Sequence, residues 1–237
     1  MSAEVAARLG RLASRYELPA GAEGQLAALL ELVAGEPAAI TAVRDPAEGV
    51  DVHVADSLVA LDLPAVRAAS RIADLGSGGG FPGFALAIAL PEARVAAVES
   101  VGRKCTFLAG AAASLGLVNV EVVNARAEAW EDGLGAHDLV AARALAPLPV
   151  IIEYAAPLLA PGGALVAWKG RREPVEESDG RAAAAALGMG EPEPVPVEPF
   201  PGSRDRHLYL SSKVSATPSR YPRRPGMARK RPIRASG

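Results

Sequence analysis

Between Asp74 and Gly80 the chain reads Asp-Leu-Gly-Ser-Gly-Gly-Gly, and this stretch restricts the possible folds more than any other among the 237 residues. Glycines this close together oppose a regular helix or strand, because each loses more backbone freedom on ordering than any other residue. They suit a sharp turn that lets a ligand lie against bare backbone. The apolar run Ile72–Leu75 ahead of them reads as a strand, and residues from about Pro82 to Leu90 read as a helix opened by proline. The first firm unit is therefore a strand, a glycine turn and a helix.

Strand-like runs recur at Arg94–Glu99, Val120–Val123, Asp138–Ala142 and Ala164–Lys169, separated by helical stretches or short connections. That alternation predicts an α/β fold, a doubly wound and mostly parallel Rossmann-like sheet with its ligands along one edge. Upstream, Ala3–Tyr16 and Ala22–Val33 carry apolar residues at helical spacing, split by Pro19–Gly21. Thr41–Pro46 reads as a loop and Asp51–Leu61 as a helix carrying His53 and Asp56. Prolines crowd Glu191–Pro201, which allows only an edge strand or an extended connection, and His207–Ser211 reads as the last strand. Three regions are expected: a helical cap over 1–65, a ligand-binding domain over 66–212, and a basic, flexible tail over 213–237 with no regular element.

Charge separates the tail from the body. Residues 211–237 hold eight Lys or Arg and no acid, so the net charge of −2 conceals a strongly acidic body. Such a tail suits a grip on a polyanion, or it is a solvated end without a partner. The single cysteine, Cys105, excludes an internal disulfide and a cysteine-ligated zinc site. With no secretory signal and no long apolar run, the expected location is the cytoplasm and no membrane contact is expected. His53, His137 and His207 lack metal-ligand spacing, so no metal is expected, and a monomer is.

The glycine cluster contains Gly78-x-Gly80-x-x-Gly83, which matches a dinucleotide fingerprint, so charge has to arbitrate. A dinucleotide sets an anionic pyrophosphate over the turn, whereas S-adenosylmethionine sets an ammonium and a sulfonium there. Asp74 beside the first glycine is expected to repel the former and attract the latter. Glu99 ends the second strand, where a carboxylate accepts hydrogen bonds from both ribose hydroxyls of either cofactor. Asn124–Glu128 follows the third strand, where the adenine would lie, although Glu128 also fits as a helix N-terminal acid.

Further pieces add specificity: Ile40-Thr41-Ala42-Val43, His53-x-x-Asp56-Ser57, the Phe81-Pro82-Gly83 extension of the glycine run, Glu99-Ser100 before Arg103-Lys104, and Arg126-Ala127-Glu128. Ala142-Arg143-Ala144, Trp168-Lys169-Gly170, Arg206-His207 and Tyr221-Pro222-Arg223-x-Pro225-Gly226 complete the set. With these the chain resembles the small-subunit ribosomal RNA guanine-N7 methyltransferase family (RsmG, formerly GidB), from about Ile40 to Ile233. It departs from the family pattern over Ala34–Ala39 and at Val52. The resemblance implies a class I S-adenosylmethionine methyltransferase that modifies N7 of a guanine in 16S ribosomal RNA, free or in the small subunit.

It also implies cofactor contacts at Gly76, Phe81, Ala127, Glu128 and Arg143, to which the chemical reading adds Asp74, Gly78, Gly80 and Glu99. RNA contacts are expected at His53, Arg103, Lys104, Arg126, Lys169, Arg206, Arg223, Arg224 and Lys230. Guanine N7 has no proton to lose, so no catalytic acid or base is expected. An unpaired or flipped base is expected to stack on Phe81, Trp168 or the plane of Arg143. The competing readings are a catalytically silent RNA-binding or assembly protein of the same fold and an NAD-dependent oxidoreductase.

Overall fold

The computed structural model describes residues 2–37 and 40–235; of the ranges above, Met1, Ala38, Ala39, Ser236 and Gly237 lie outside the described residues. Two helices open the chain, α1 (Ala3–Tyr16) and α2 (Ala22–Gly35). The first begins where the Ser2 hydroxyl accepts the Val5 N–H, and it buries Val5, Leu9 and Tyr16. A continuous helical run follows: α3 (Pro46–Gly49), a π-helical segment Val50–Ala55, α4 (Asp56–Leu58), a 3-10 turn Val59–Asp62, and then α5 (Pro64–Arg67). His53 lies in the π-helical stretch, a geometry common where a side chain must be re-aimed.

The sheet consists of β1 (Arg71–Leu75), β2 (Arg94–Glu99), β3 (Val120–Asn124), β4 (His137–Arg143), β5 (Leu159–Lys169), β6 (Glu193–Pro196) and β7 (His207–Ser212). Its order is β3-β2-β1-β4-β5-β7-β6, with β1 to β5 parallel and β7 antiparallel to both β5 and β6. The chain winds outward from β1 in one direction and resumes at β4 in the other, so a crevice forms at the carboxyl ends of the two. Strand β5 begins at Leu159, ahead of the expected Ala164, because residues 162 and 163 exchange backbone hydrogen bonds with Lys213 despite their glycines. The proline-rich β6 takes the edge, where a missing N–H costs nothing.

Helices α6 (Gly83–Ala89) and α7 (Gly102–Leu115) pack with α1, α2 and the helical run in one apolar cluster on one face of the sheet. Helices α8 (Leu148–Ala155) and α9 (Pro174–Leu187) build a second cluster on the other face. Apolar residues of the cap, Val5, Leu9, Leu26 and Leu30, share the first cluster with Ile72 and Leu139 of the sheet. The cap is thus fastened by burial of its apolar face.

The tail departs from its expectation as a flexible end without a regular element. It contains one helical turn, α10 (Met227–Lys230), and Tyr221, Ala228 and Ile233 pack against the second cluster. Three apolar side chains spaced through a basic segment give it an area to bury, which composition alone obscures.

Candidate cofactor and acceptor clefts

The carboxyl ends of the central strands are level: Leu75 aligns with Val98 and with Ala142, and Glu99 with Asn124. Two clefts open above them. The larger, about 700 Å3, is bounded by residues 40–43, His53, Asp56, Phe81, Arg143, Trp168, Lys169 and Arg206. The smaller, about 490 Å3, is bounded by Glu99, Ser100, Arg126, Ala127, Glu128, Leu145, Tyr154 and Arg229. Gly76, Lys104 and Ala144 border both, so the clefts meet at the glycine turn. Gly76 at that meeting point and Gly78 in the larger cleft have φ of 73° and 53°, a left-handed backbone that glycine adopts without strain.

Asp74 requires a correction. It was expected to face the ligand, yet it is fully buried and borders neither cleft. Its Oδ2 accepts the Gly83 N–H at 3.1 Å, tying the end of β1 to the first turn of α6, while its Oδ1 has no partner. Burial pushes this carboxyl up to about 6, against the Gly83 N–H that favours its ionised form. The folded state therefore holds a proton that the unfolded chain releases, so the group's favourable contribution exists at low pH and is lost as pH rises through about 6. Asp74→Asn, which cannot titrate, is expected to gain stability relative to the parent as pH rises from about 5 to about 8, measured by denaturant unfolding at each pH. Its cofactor affinity is expected to stay within about threefold of the parent, that is within about 0.7 kcal/mol. A larger loss would return Asp74 to the binding surface.

Glu99 is the carboxylate that reaches a cleft. Its Oε1 accepts the Val101 N–H at 2.9 Å and its Oε2 the Gly78 N–H at 3.2 Å, with Lys104 Nζ at 4.0 Å from Oε2. These contacts fix the carboxylate between β2 and the glycine turn and leave lone pairs on both oxygens. In the larger cleft, Arg143 Nη1 donates to the Val52 carbonyl and to Asp56 Oδ2, each at 2.9 Å, and its guanidinium lies 5.7 Å from the Phe81 ring centre. Phe81 stacks on His53 with centroids 4.9 Å apart and planes 13° from parallel. His53 Nε2 lies 3.1 Å from the Val43 carbonyl, and Arg143 Nη2 lies 3.5 Å from Nδ1. The tautomer satisfying both carries its proton on Nε2, and burial lowers the ring's basicity, so the histidine is neutral. Trp168 Nε1 donates to the Asp56 carbonyl at 2.6 Å and closes the floor.

A family model described as rRNA small subunit methyltransferase G matches residues 24–200. The chain belongs to this family. It is 43% identical over 204 residues to the ribosomal RNA small subunit methyltransferase G of Rubrobacter xylanophilus, covering 84% of this chain and 78% of that one. The protein of the same name from Deinococcus radiodurans is 39% identical over 219 residues, 89% of this chain and 85% of its own. Among solved structures, a predicted O-methyltransferase from Agrobacterium tumefaciens superposes with a TM-score of 0.53 at 26% identity, over 68% of this chain and 80% of that one. A Rossmann-like methyltransferase fold is the common element, and membership of this family displaces the oxidoreductase reading.

Set against that family, the expected site residues divide. Gly76, Glu99, Ala127 and Glu128 border the smaller cleft; Gly76, Gly78, Phe81 and Arg143 border the larger. Gly80 borders neither; its φ of 92° shapes the turn, and a Cβ there would come 3.1 Å from the Phe84 ring. Glu128 Oε1 accepts the Gly226 N–H at 2.8 Å, so its carboxylate is partly committed to the tail. Of the expected RNA contacts, His53, Lys104, Lys169 and Arg206 border the larger cleft, and Lys104 and Arg126 the smaller.

His53 is buried in the wall behind Phe81, where it cannot grip a phosphate from the surface. Lys169 reaches Glu176 at 2.6 Å, which neutralises its charge. Arg103 lies in a separate groove between α2 and α7. Arg223 pairs with the buried Glu153, Nε to Oε1 at 2.6 Å, and so fastens the tail instead of offering a free cation. Arg224 and Lys230 are exposed. The departure at Val52 is absorbed because its carbonyl, and not its side chain, holds Arg143.

Sequence reasoning missed Ser100, Leu145, Tyr154 and Arg229 of the smaller cleft. Ser100 stands beside Glu99 and was legible by adjacency. Nothing local marks Arg229, which arrives from the far end of the chain.

Proposed function

We propose that this protein transfers the methyl group of S-adenosylmethionine to N7 of a guanine in 16S ribosomal RNA, with the small cleft taking the nucleoside and the large cleft the base. The observation that carries this reading is the junction itself: a glycine turn shared by a cleft with a fixed carboxylate and a cleft walled by Phe81, Arg143 and Trp168, in a chain of the rRNA small subunit methyltransferase G family. The residues fit the cofactor. Glu99 retains acceptor capacity for the ribose hydroxyls, the backbone at 125–128 faces the purine position, and Gly76 admits close approach because it has no Cβ. When bound, the cofactor supplies an electrophilic methyl group on sulfur.

The chain's own task is alignment and exclusion of water. N7 offers an in-plane lone pair, so no side chain has to remove a proton, and neutral His53 behind Phe81 is not required as a base. Phe81 and Trp168 offer aromatic surface to an extruded guanine, and Arg143 is held rigid by Val52, Asp56 and His53. Lys104, Arg126 and Arg206 at the rims supply positive charge for phosphates. Action as a monomer in the cytoplasm, where small subunits are assembled, accords with this substrate. Among the described residues no helix is long and apolar enough to cross a membrane, and no cluster of ligands to hold a metal is present.

The decisive experiment incubates the protein with unmodified small subunits and labelled methyl donor. Label at guanine N7, absent with Arg143→Ala, is expected. Cofactor binding with no transfer would instead establish the silent RNA-binding protein.

The tail contributes fewer free charges than its composition implies. Lys213 is buried, donating to the Ala156 carbonyl at 2.7 Å, and Arg223 is paired, leaving Arg220, Arg224, Arg229, Lys230, Arg231 and Arg234 exposed. Removing residues after Pro218 is expected to reduce the slope of log affinity against log salt by at most about 4, the value for roughly six phosphate contacts to a single strand. An unchanged slope would mean the tail does not touch RNA.

A further inference from the structure

The segment from Tyr221 to Lys230 crosses the chain's second apolar face and ends on the rim of the smaller cleft. Three contacts hold it: Arg223 to Glu153, the Gly226 N–H to Glu128 Oε1 at 2.8 Å, and Arg229 Nη2 to the Leu145 carbonyl at 2.8 Å. Ala228 between them is buried. Two of the three partners, Glu128 and Leu145, border the smaller cleft, and so does Arg229 itself. Leu145 also covers the glycine turn, since a Cβ on Gly76 would come 2.8 Å from its Cδ1. The segment is thus bonded to two residues of that cleft's lining.

We propose that this segment is part of the cofactor site, and that Arg229 is a binding residue for the nucleoside end of the cofactor. The proposal rests on the cofactor reading above and goes beyond it, because the family match ends at residue 200 and the segment was expected only to hold RNA. The chemistry follows from the side chain. A guanidinium is planar and weakly hydrated, and it stacks on aromatic faces; a purine presents such a face. Arg229 is held by its carbonyl contact on the cleft that Glu99 and the Arg126–Glu128 turn also border, and not on the one that holds Phe81 and Trp168. The Glu128 carboxylate, turned to Gly226, braces that same turn, so the purine edge and its stacking partner are both positioned by the tail.

The test is calorimetry on the full chain without RNA, using S-adenosylhomocysteine and 5′-methylthioadenosine, which lacks the amino acid. Arg229→Ala is expected to raise both dissociation constants about tenfold with an unchanged melting temperature, and Arg229→Lys to recover only part of the loss. Arg234→Ala, which removes the same charge away from the cleft, is expected to stay within about twofold, or about 0.4 kcal/mol. Values for Arg229→Ala within twofold of the parent would overturn the proposal. A loss confined to S-adenosylhomocysteine would overturn the nucleoside assignment, placing Arg229 on the amino acid carboxylate. If the parent chain binds neither compound, the cofactor reading fails first. Truncation after Pro218 is expected to match or exceed the point mutant; because it also exposes Glu153, the point mutant decides if the truncated chain melts early.

Discussion

Glu99→Ala is expected to weaken S-adenosylhomocysteine binding about 100-fold, the equivalent of about 2.7 kcal/mol. The carboxylate sits at the carboxyl end of β2 and is pinned by the Val101 and Gly78 N–H groups, so it needs no rearrangement to receive two ribose hydroxyls. Hydrogen bonds to an ionised acceptor contribute about 1.5–3 kcal/mol each, and pre-positioning keeps that contribution from being spent on ordering the side chain. The loss should fall on affinity. At saturating methyl donor the turnover number should recover to within a few fold, because Glu99 borders the smaller cleft and not the one lined by Phe81 and Trp168. Calorimetry gives the first number and steady-state methylation of small subunits the second. A dissociation constant within threefold of the parent would remove Glu99 from the site and leave it as a brace for the glycine turn.

Gly83→Ala is expected to destabilise the fold by about 3 kcal/mol, the upper part of the range for forcing an atom into a packed interior. A Cβ at position 83 would lie 2.5 Å from Asp74 Oδ2 and 2.9 Å from Asp74 Cβ. Asp74 cannot swing aside, being fully buried at the end of the central strand. The neighbouring α6 cannot retreat either, since every residue from Gly83 to Ile88 is buried. Denaturant unfolding monitored at the tryptophans should show the shift in midpoint with an unchanged slope. The double variant Gly83→Ala/Asp74→Ala should recover part of the loss, because it removes the atoms that collide. Absence of any recovery would show that the clash is with other parts of the structure.

These two positions also show how much of the fold the sequence carries by itself. The β-loop-α unit, the parallel core strands and the proline-bearing edge strand were legible because each follows from local rules: apolar runs of strand length, glycines where the backbone must turn, proline where no ladder N–H is needed. Glu99 was legible as a strand-end acid for the same reason. Asp74 was misread, since being adjacent to a glycine turn does not reveal which way a side chain leaves a strand. Successive residues point to opposite sides, and only the packing of α6 decides that this one points inward.

Local pattern therefore settled the type and order of the elements, and through them the strand edge at which a ligand must sit. It did so because backbone preference and apolar periodicity act over a few residues. Which charges are free was decided in three dimensions. Arg223 and Lys169 look like RNA contacts until Glu153 and Glu176 are brought beside them, and Arg229 looks like tail until it reaches the smaller cleft. Pairing of this kind joins residues 7 to 84 positions apart, as Lys169 with Glu176 and Arg229 with Leu145 show, and the energy of a charge depends on the partner that folding supplies.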